Sequence, residues 1–271
     1  MGTGMGWTRN IAGGLALASI AVPALAAKPP PDRRNFVSCP VVRDTKTVPC
    51  WLAEYKGETY FLGVQVDFGA EFWPPYLGHQ VLVEGVATDA PRICGGIVLK
   101  PVKVSSLPEP DKNCNTMLPA EDRYTIPFET RGPGPNGRPS INRPPPPPRP
   151  AAPAPQKPYA VREFTILNDF NNRIWNVRAT PPMQQARDYA IAIGATEVEI
   201  VAYRGASLLS DGVRLVEDEG VAEMRAKQVG EILQGVGVPA ASLKVRWKTA
   251  PEPADGVNDG LKRRTVITVR P

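Results

Sequence analysis

The chain has 271 residues, enough for two modest cores, and 32 of them are proline. Its net charge of +5 invites a nucleic-acid reading, but Arg131, Arg138, Arg143, Arg149 and Lys157 carry all of it in one proline-rich stretch free of acidic residues. The remainder balances to zero, so no folded basic face is expected, and nucleic acid is not a partner.

The chain opens on "MGTGMGWTRN", with Arg9, followed by the apolar run "IAGGLALASIAV" and the small-residue exit "PALAAK". Residues 1–27 therefore read as a secretory signal peptide. The run is too short for a membrane span, which needs roughly 20 residues. No comparable stretch follows, and no cysteine marks a lipoprotein anchor. The mature chain is expected in the periplasm or cell envelope, without a transmembrane segment. Four cysteines, Cys39, Cys50, Cys94 and Cys114, suit that oxidising compartment as disulfides. The local pairing is Cys39–Cys50 with Cys94–Cys114, one of three possible connectivities. With no C-x-x-C and a single histidine, His79, a zinc site is not expected.

Residues 35–129 read as a small all-β domain, a barrel or sandwich that could resemble an oligonucleotide/oligosaccharide-binding barrel. "CWLAEYKGETYFLGVQV" holds two strand-like runs about Lys56-Gly57, a hairpin signal. "HQVLVEGVAT" sets Val81 and Val83 against Leu82 and Glu84, and "GGIVLKPVKV" is a further β-branched run. Tyr60, Phe61, Phe68, Phe72, Trp73 and Tyr76 cluster here. They suit either a core or a stacking platform for sugars or bases, and core is the expectation. His79 is read as structural.

Residues 130–158 form a proline-rich linker, "GPGPNGRPSINRPPPPPRPAAPAPQKP", with no apolar periodicity. As extended polyproline at about 3.1 Å per residue it spans on the order of 80 Å and acts as a spacer.

Residues 159–271 alternate strands and helices. "REFTIL" is a strand; Thr180 then precedes Pro181-Pro182 and a helix through Met183, Ala186, Ala190 and Ile193, closing at Gly194. "TEVEIVAY" is a half-buried strand, and a second helix turns Ala222, Ala226, Val229 and Leu233 inward. "SLKVRWK" and "RRTVITV" complete a βαβαββ two-layer α+β unit.

In this last unit "VAEMRAKQVGEILQGVGVPAASLKV" and "LKRRTVITV" resemble the OmpA-like peptidoglycan-binding domain family, over roughly residues 159–269. The resemblance implies that the helix arginine, Arg225, grips the carboxylate of a diaminopimelate side group while an aspartate holds its ammonium. A guanidinium suits that task because it binds a carboxylate through two parallel hydrogen bonds. The family's strand-end aspartate is absent: Ala202, Tyr203, Arg204 and Gly205 stand there, before a loop about five residues longer. Asp211, in "LLSDG", is the candidate replacement and Asp218 a second one, while Arg263 and Arg264 are read chiefly as structural. The expected ligand set is Arg225, Asp211, Asp218 and Arg263.

No G-x-S-x-G, Cys/His pairing or P-loop occurs, so the chain is not expected to be an enzyme, and no cofactor is called for. The expected function is non-covalent docking on peptidoglycan, with the β domain held on the proline tether. The alternative is a degenerate OmpA-like module that has lost the wall ligand and works through protein–protein contacts in the envelope.

Overall fold

The computed structural model describes residues 1, 30, 32–64, 75–126, 154–172 and 179–271. Residues 2–27 of the expected signal peptide, residues 130–153 of the expected linker, Phe68, Phe72 and Trp73 lie outside the described residues. Strands predominate, with few helices, in the order β1 (Arg33–Ser38), β2 (Pro40–Arg43), β3 (Cys50–Tyr55), β4 (Glu58–Val64), β5 (His79–Ala87), β6 (Ile97–Pro110) and β7 (Thr116–Leu118). There follow β8 (Arg162–Leu167), α1 (Thr180–Ile193), β9 (Glu197–Tyr203), β10 (Ala206–Leu208), β11 (Arg214–Val216), α2 (Val221–Gly235), β12 (Leu243–Lys248), α3 (Asp259–Lys262) and β13 (Arg264–Arg270).

The first seven strands form one sheet ordered β1-β5-β6-β4-β3-β2-β7. Only Cys39 separates β1 from β2, so the two are one bent strand, which pairs with β5 at one end and β3 at the other. The sheet thereby closes on itself, with β4 and β6 as its parallel neighbours. That circuit has the strand order of a small Greek-key β-barrel. Lys56 and Gly57 turn the β3–β4 hairpin with φ of 52° and 79°, as a two-residue primed turn requires. Phe36, Tyr60, Leu62, Val81 and Val83 fill the interior, with Phe36 stacked on Tyr55 at 4.7 Å. The described aromatics divide between core and surface: Tyr60 is buried, whereas Tyr76 is exposed and meets His79 edge-on at 4.8 Å. His79 Nδ1 lies 2.8 Å from the Leu107 carbonyl oxygen, a structural contact.

The disulfides are Cys39–Cys114 and Cys50–Cys94, which corrects the local pairing. The β2–β3 register explains why. Pro40 faces Ala53 while Arg43 faces Cys50, which puts Cys39 and Cys50 at opposite ends of that hairpin. Four residue steps along the strands separate them by about 13 Å, beyond disulfide reach. The two bridges instead close loops of sequence separation 75 and 44, so each removes on the order of 4 kcal/mol of unfolded-state entropy in the chain-entropy account. Replacing Cys39 and Cys114 together by serine is expected to destabilise the chain by about 2–5 kcal/mol in urea unfolding. An unchanged midpoint would show that the bridge constrains little.

The second sheet runs β12-β9-β13-β8. α1 and α2 pack Met183, Ala186, Ala190, Ala222, Ala226, Val229 and Leu233 onto Ile166, Val198, Ile200, Ala202 and Ile267. α1 ends on Gly194 at φ 62°, the left-handed cap that glycine supplies without strain.

The sequence suggests a barrel held apart on a tether. In the structure the barrel instead packs on the second unit. The long loop after β9 folds into the β10–β11 hairpin, and that hairpin lies against β1. Ser210 N–H donates to the Asn35 carbonyl at 2.7 Å, and Asn35 N–H donates back to Ser210 Oγ at 2.9 Å. Leu82, on the outer face of β5, joins Phe170 and Leu209 in a small shared core. That is why β5 is buried from Val81 to Gly85 on both faces.

Candidate functional site

Two buried arginines organise the junction, and both lie on elements of the second unit. Arg225 is the fifth residue of α2 and is 3% exposed; Glu217, on the approach to that helix, is 0% exposed. Arg225 Nη2 donates to Glu217 Oε1 at 2.6 Å and Nη1 donates to Oε2 at 3.1 Å, the two-pronged grip expected of a guanidinium on a carboxylate. Nε donates to the Asn172 carbonyl at 3.1 Å and Nη2 also reaches the Asp169 carbonyl at 2.9 Å. Glu217 accepts in addition from the backbone N–H of Asn171 at 3.0 Å and of Gly205 at 2.7 Å. Every oxygen lone-pair direction that matters is taken. The pair is closed.

Arg263, fully buried between α3 and β13, crosses to the barrel. Its Nη1 donates to Glu84 Oε1 at 3.2 Å, and Nη2 forms an ion pair with Glu84 Oε2. Ser207 Oγ accepts from Nη1 at 2.8 Å and donates to Glu84 Oε1 at 2.8 Å. The guanidinium also lies over the Phe170 ring at 5.4 Å. Gly205 is needed here for space, since a Cβ on it would come within 2.5 Å of Arg263 Cγ. Burial pushes the Glu84 carboxyl up, but the Arg263 charge and the hydrogen bonds from Arg263 and Ser207 prevail and hold it below the usual range. Burial, with Arg263 nearby, pushes the Lys103 ammonium down to about 8. Lys103 Nζ donates to the Asn168 carbonyl at 2.9 Å and the Gly260 carbonyl at 3.3 Å, a third tie between barrel and sheet.

Of the four residues expected to form one ligand set, Arg225 is engaged by Glu217 and Arg263 by Glu84. Asp211 lies at the exposed tip of the β10–β11 hairpin, where its Oδ1 accepts from Val213 N–H at 3.0 Å, an ordinary turn contact. Asp218 is anchored by its backbone, its N–H donating to Asn171 Oδ1 at 2.7 Å. The carboxylate facing Arg225 is Glu217, which stands in "EDEG" beside Asp218 and was legible only as an acid near a helix N-terminus. Glu84 is the other residue that sequence reading missed. Its one signal is a pair of neighbours: a leucine and a glutamate share the supposedly solvated face of β5. As for metals, Cys39, Asp111 and Cys114 are the described residues gathered closely enough to hold an ion, but both sulfurs are bonded to each other. No helix among the described residues is long and apolar enough to cross a membrane.

No family model matches the chain, and no curated protein sequence does. Among solved structures, a MotB-like protein from Desulfovibrio vulgaris is similar over 41% of this chain and 73% of its own, at 15% identity and a TM-score of 0.31. The OmpA-like domain of FopA1 from Francisella tularensis subsp. tularensis SCHU S4 is similar over the same shares, 41% and 73%, at 10% identity and a TM-score of 0.32.

Proposed function

We propose that the chain is an exported cell-envelope protein whose OmpA-like C-terminal module holds its own N-terminal barrel and acts through protein contacts. It is a binding and assembly protein rather than an enzyme, and Arg225 serves the fold. One observation carries this reading: the guanidinium that the family resemblance assigns to a peptidoglycan carboxylate is filled by Glu217 of the same chain, with both side chains out of solvent. A ligand carboxylate could reach Arg225 only by displacing a partner already bound through two hydrogen bonds and held by two backbone amides. The two disulfides and the signal-peptide pattern support export.

Docking on diaminopimelate-containing peptidoglycan through Arg225, the reading that the resemblance implies, requires Glu217 to withdraw. Co-sedimentation of the full mature chain with purified sacculi separates the two. The expected result is that wild type stays in the supernatant, as does Arg225→Lys. Pelleting of wild type that disappears in Arg225→Lys would overturn the proposal and restore the wall-docking function.

A further inference from the structure

Between the barrel and the second sheet lies a cavity of about 610 Å³, within the range of small-molecule sites. Pro101 of the barrel and Leu167 and Leu261 of the second unit give it apolar walls, and the two leucines are 44% and 53% exposed at its rim. Two cationic side chains line it with N–H groups to spare. The Arg33 guanidinium makes no ion pair or hydrogen bond among the described residues. Lys103 uses two of its three N–H groups on backbone carbonyls.

The carboxylates on the same walls are already matched. Glu84 is held by Arg263 and Ser207. Asp259 is held by Lys262 and by the backbone N–H groups of Leu208, Asp255 and Gly256. Asp169 lies where its charge supports Lys103 and Arg263. What is left over is a guanidinium and a spare ammonium N–H above apolar walls.

We propose that this interdomain cavity binds a small organic anion that has an apolar body. The anionic group meets Arg33 and Lys103, and the body lies against Pro101, Leu167 and Leu261. Both folded units contribute to the site, so it exists only in the docked chain. It is separate from the sealed Arg225–Glu217 pair and stands whether or not the sacculus experiment succeeds.

The probe is 8-anilinonaphthalene-1-sulfonate, which carries an anion and two apolar ring systems, titrated into the full mature chain by fluorescence. Saturable binding of one molecule per chain is expected. Arg33→Glu and Leu261→Glu are each expected to weaken it by on the order of tenfold, while Met117→Glu, on β7 and outside the cavity, leaves it unchanged. N-acetylleucine, which has the carboxylate and the apolar body, is expected to displace the probe, and N-acetylleucinamide is not. Retained melting temperatures establish that the variants fold. Absence of one-to-one binding, indifference to both Arg33→Glu and Leu261→Glu, or equal displacement by acid and amide would each overturn the proposal.

Discussion

Replacing Glu84 by glutamine is expected to destabilise the folded chain by about 3–5 kcal/mol, because it strands a buried guanidinium without its counter-charge. Arg263 is 0% exposed, and among the described residues only the Ser207 hydroxyl accepts from it besides Glu84. Its Nε already lacks a partner, so the site has no reserve acceptor to offer. The pair itself is weak evidence of stability, since burying two charges costs about what their attraction returns. Glu84→Met combined with Arg263→Met should therefore recover much of what either single change loses. Urea unfolding followed by tryptophan fluorescence at pH 7 reads all three.

The pH dependence follows from the direction of the Glu84 shift. Its carboxyl is held below the unfolded value, so the folded state binds fewer protons than the unfolded state near that value. The stabilisation is present above the unfolded pKa and is lost as pH falls through the folded one. The gap between wild type and Glu84→Gln should accordingly close on acidification. The pair also joins elements 179 residues apart, so the single variants are expected to split one unfolding transition into two. A single, unshifted transition in Glu84→Gln would show that the junction contributes nothing to stability.

Much of the second unit was legible because its signals are local. The inward stripe of α2, Ala222, Ala226, Val229 and Leu233, and the alternation of Val198, Ile200 and Ala202 in β9 are read at fixed spacing and are buried as read. Thr180 is a partial exception: α1 begins there, but its cap is Ala179, and the prolines rather than a side-chain hydrogen bond set the start. The disulfide pairing was not legible, because it depends on which end of a hairpin each cysteine occupies. The junction was still less so. Glu84 and Arg263 pair across the barrel surface, and the alternation rule assigns the outer face of β5 to water unless something covers it. The extra loop after β9 was read as a possible source of a ligand-binding acid. It is the hairpin that covers that face, and its Asp211 points away while Glu217, at its far end, turns in.

That inward turn sets the second large effect. Glu217→Gln is expected to lower stability by about 3–5 kcal/mol, and the melting temperature by roughly 10 °C for a chain of this size. An amide nitrogen would then confront the Arg225 fork, donor against donor, with both groups still out of water. The loss should extend to the backbone that Glu217 organises. The Gly205 and Asn171 amides donate to its carboxylate, so their hydrogen exchange should quicken together in the variant. Arg225→Lys tests the other side of the pair. A lysine keeps the charge but offers a single point of contact, and it cannot also reach the Asn172 and Asp169 carbonyls from one position. A structural arginine therefore predicts a clear drop in melting temperature for Arg225→Lys in the absence of any ligand. An arginine kept for an external carboxylate predicts almost none, because the folded chain alone would not be using the fork.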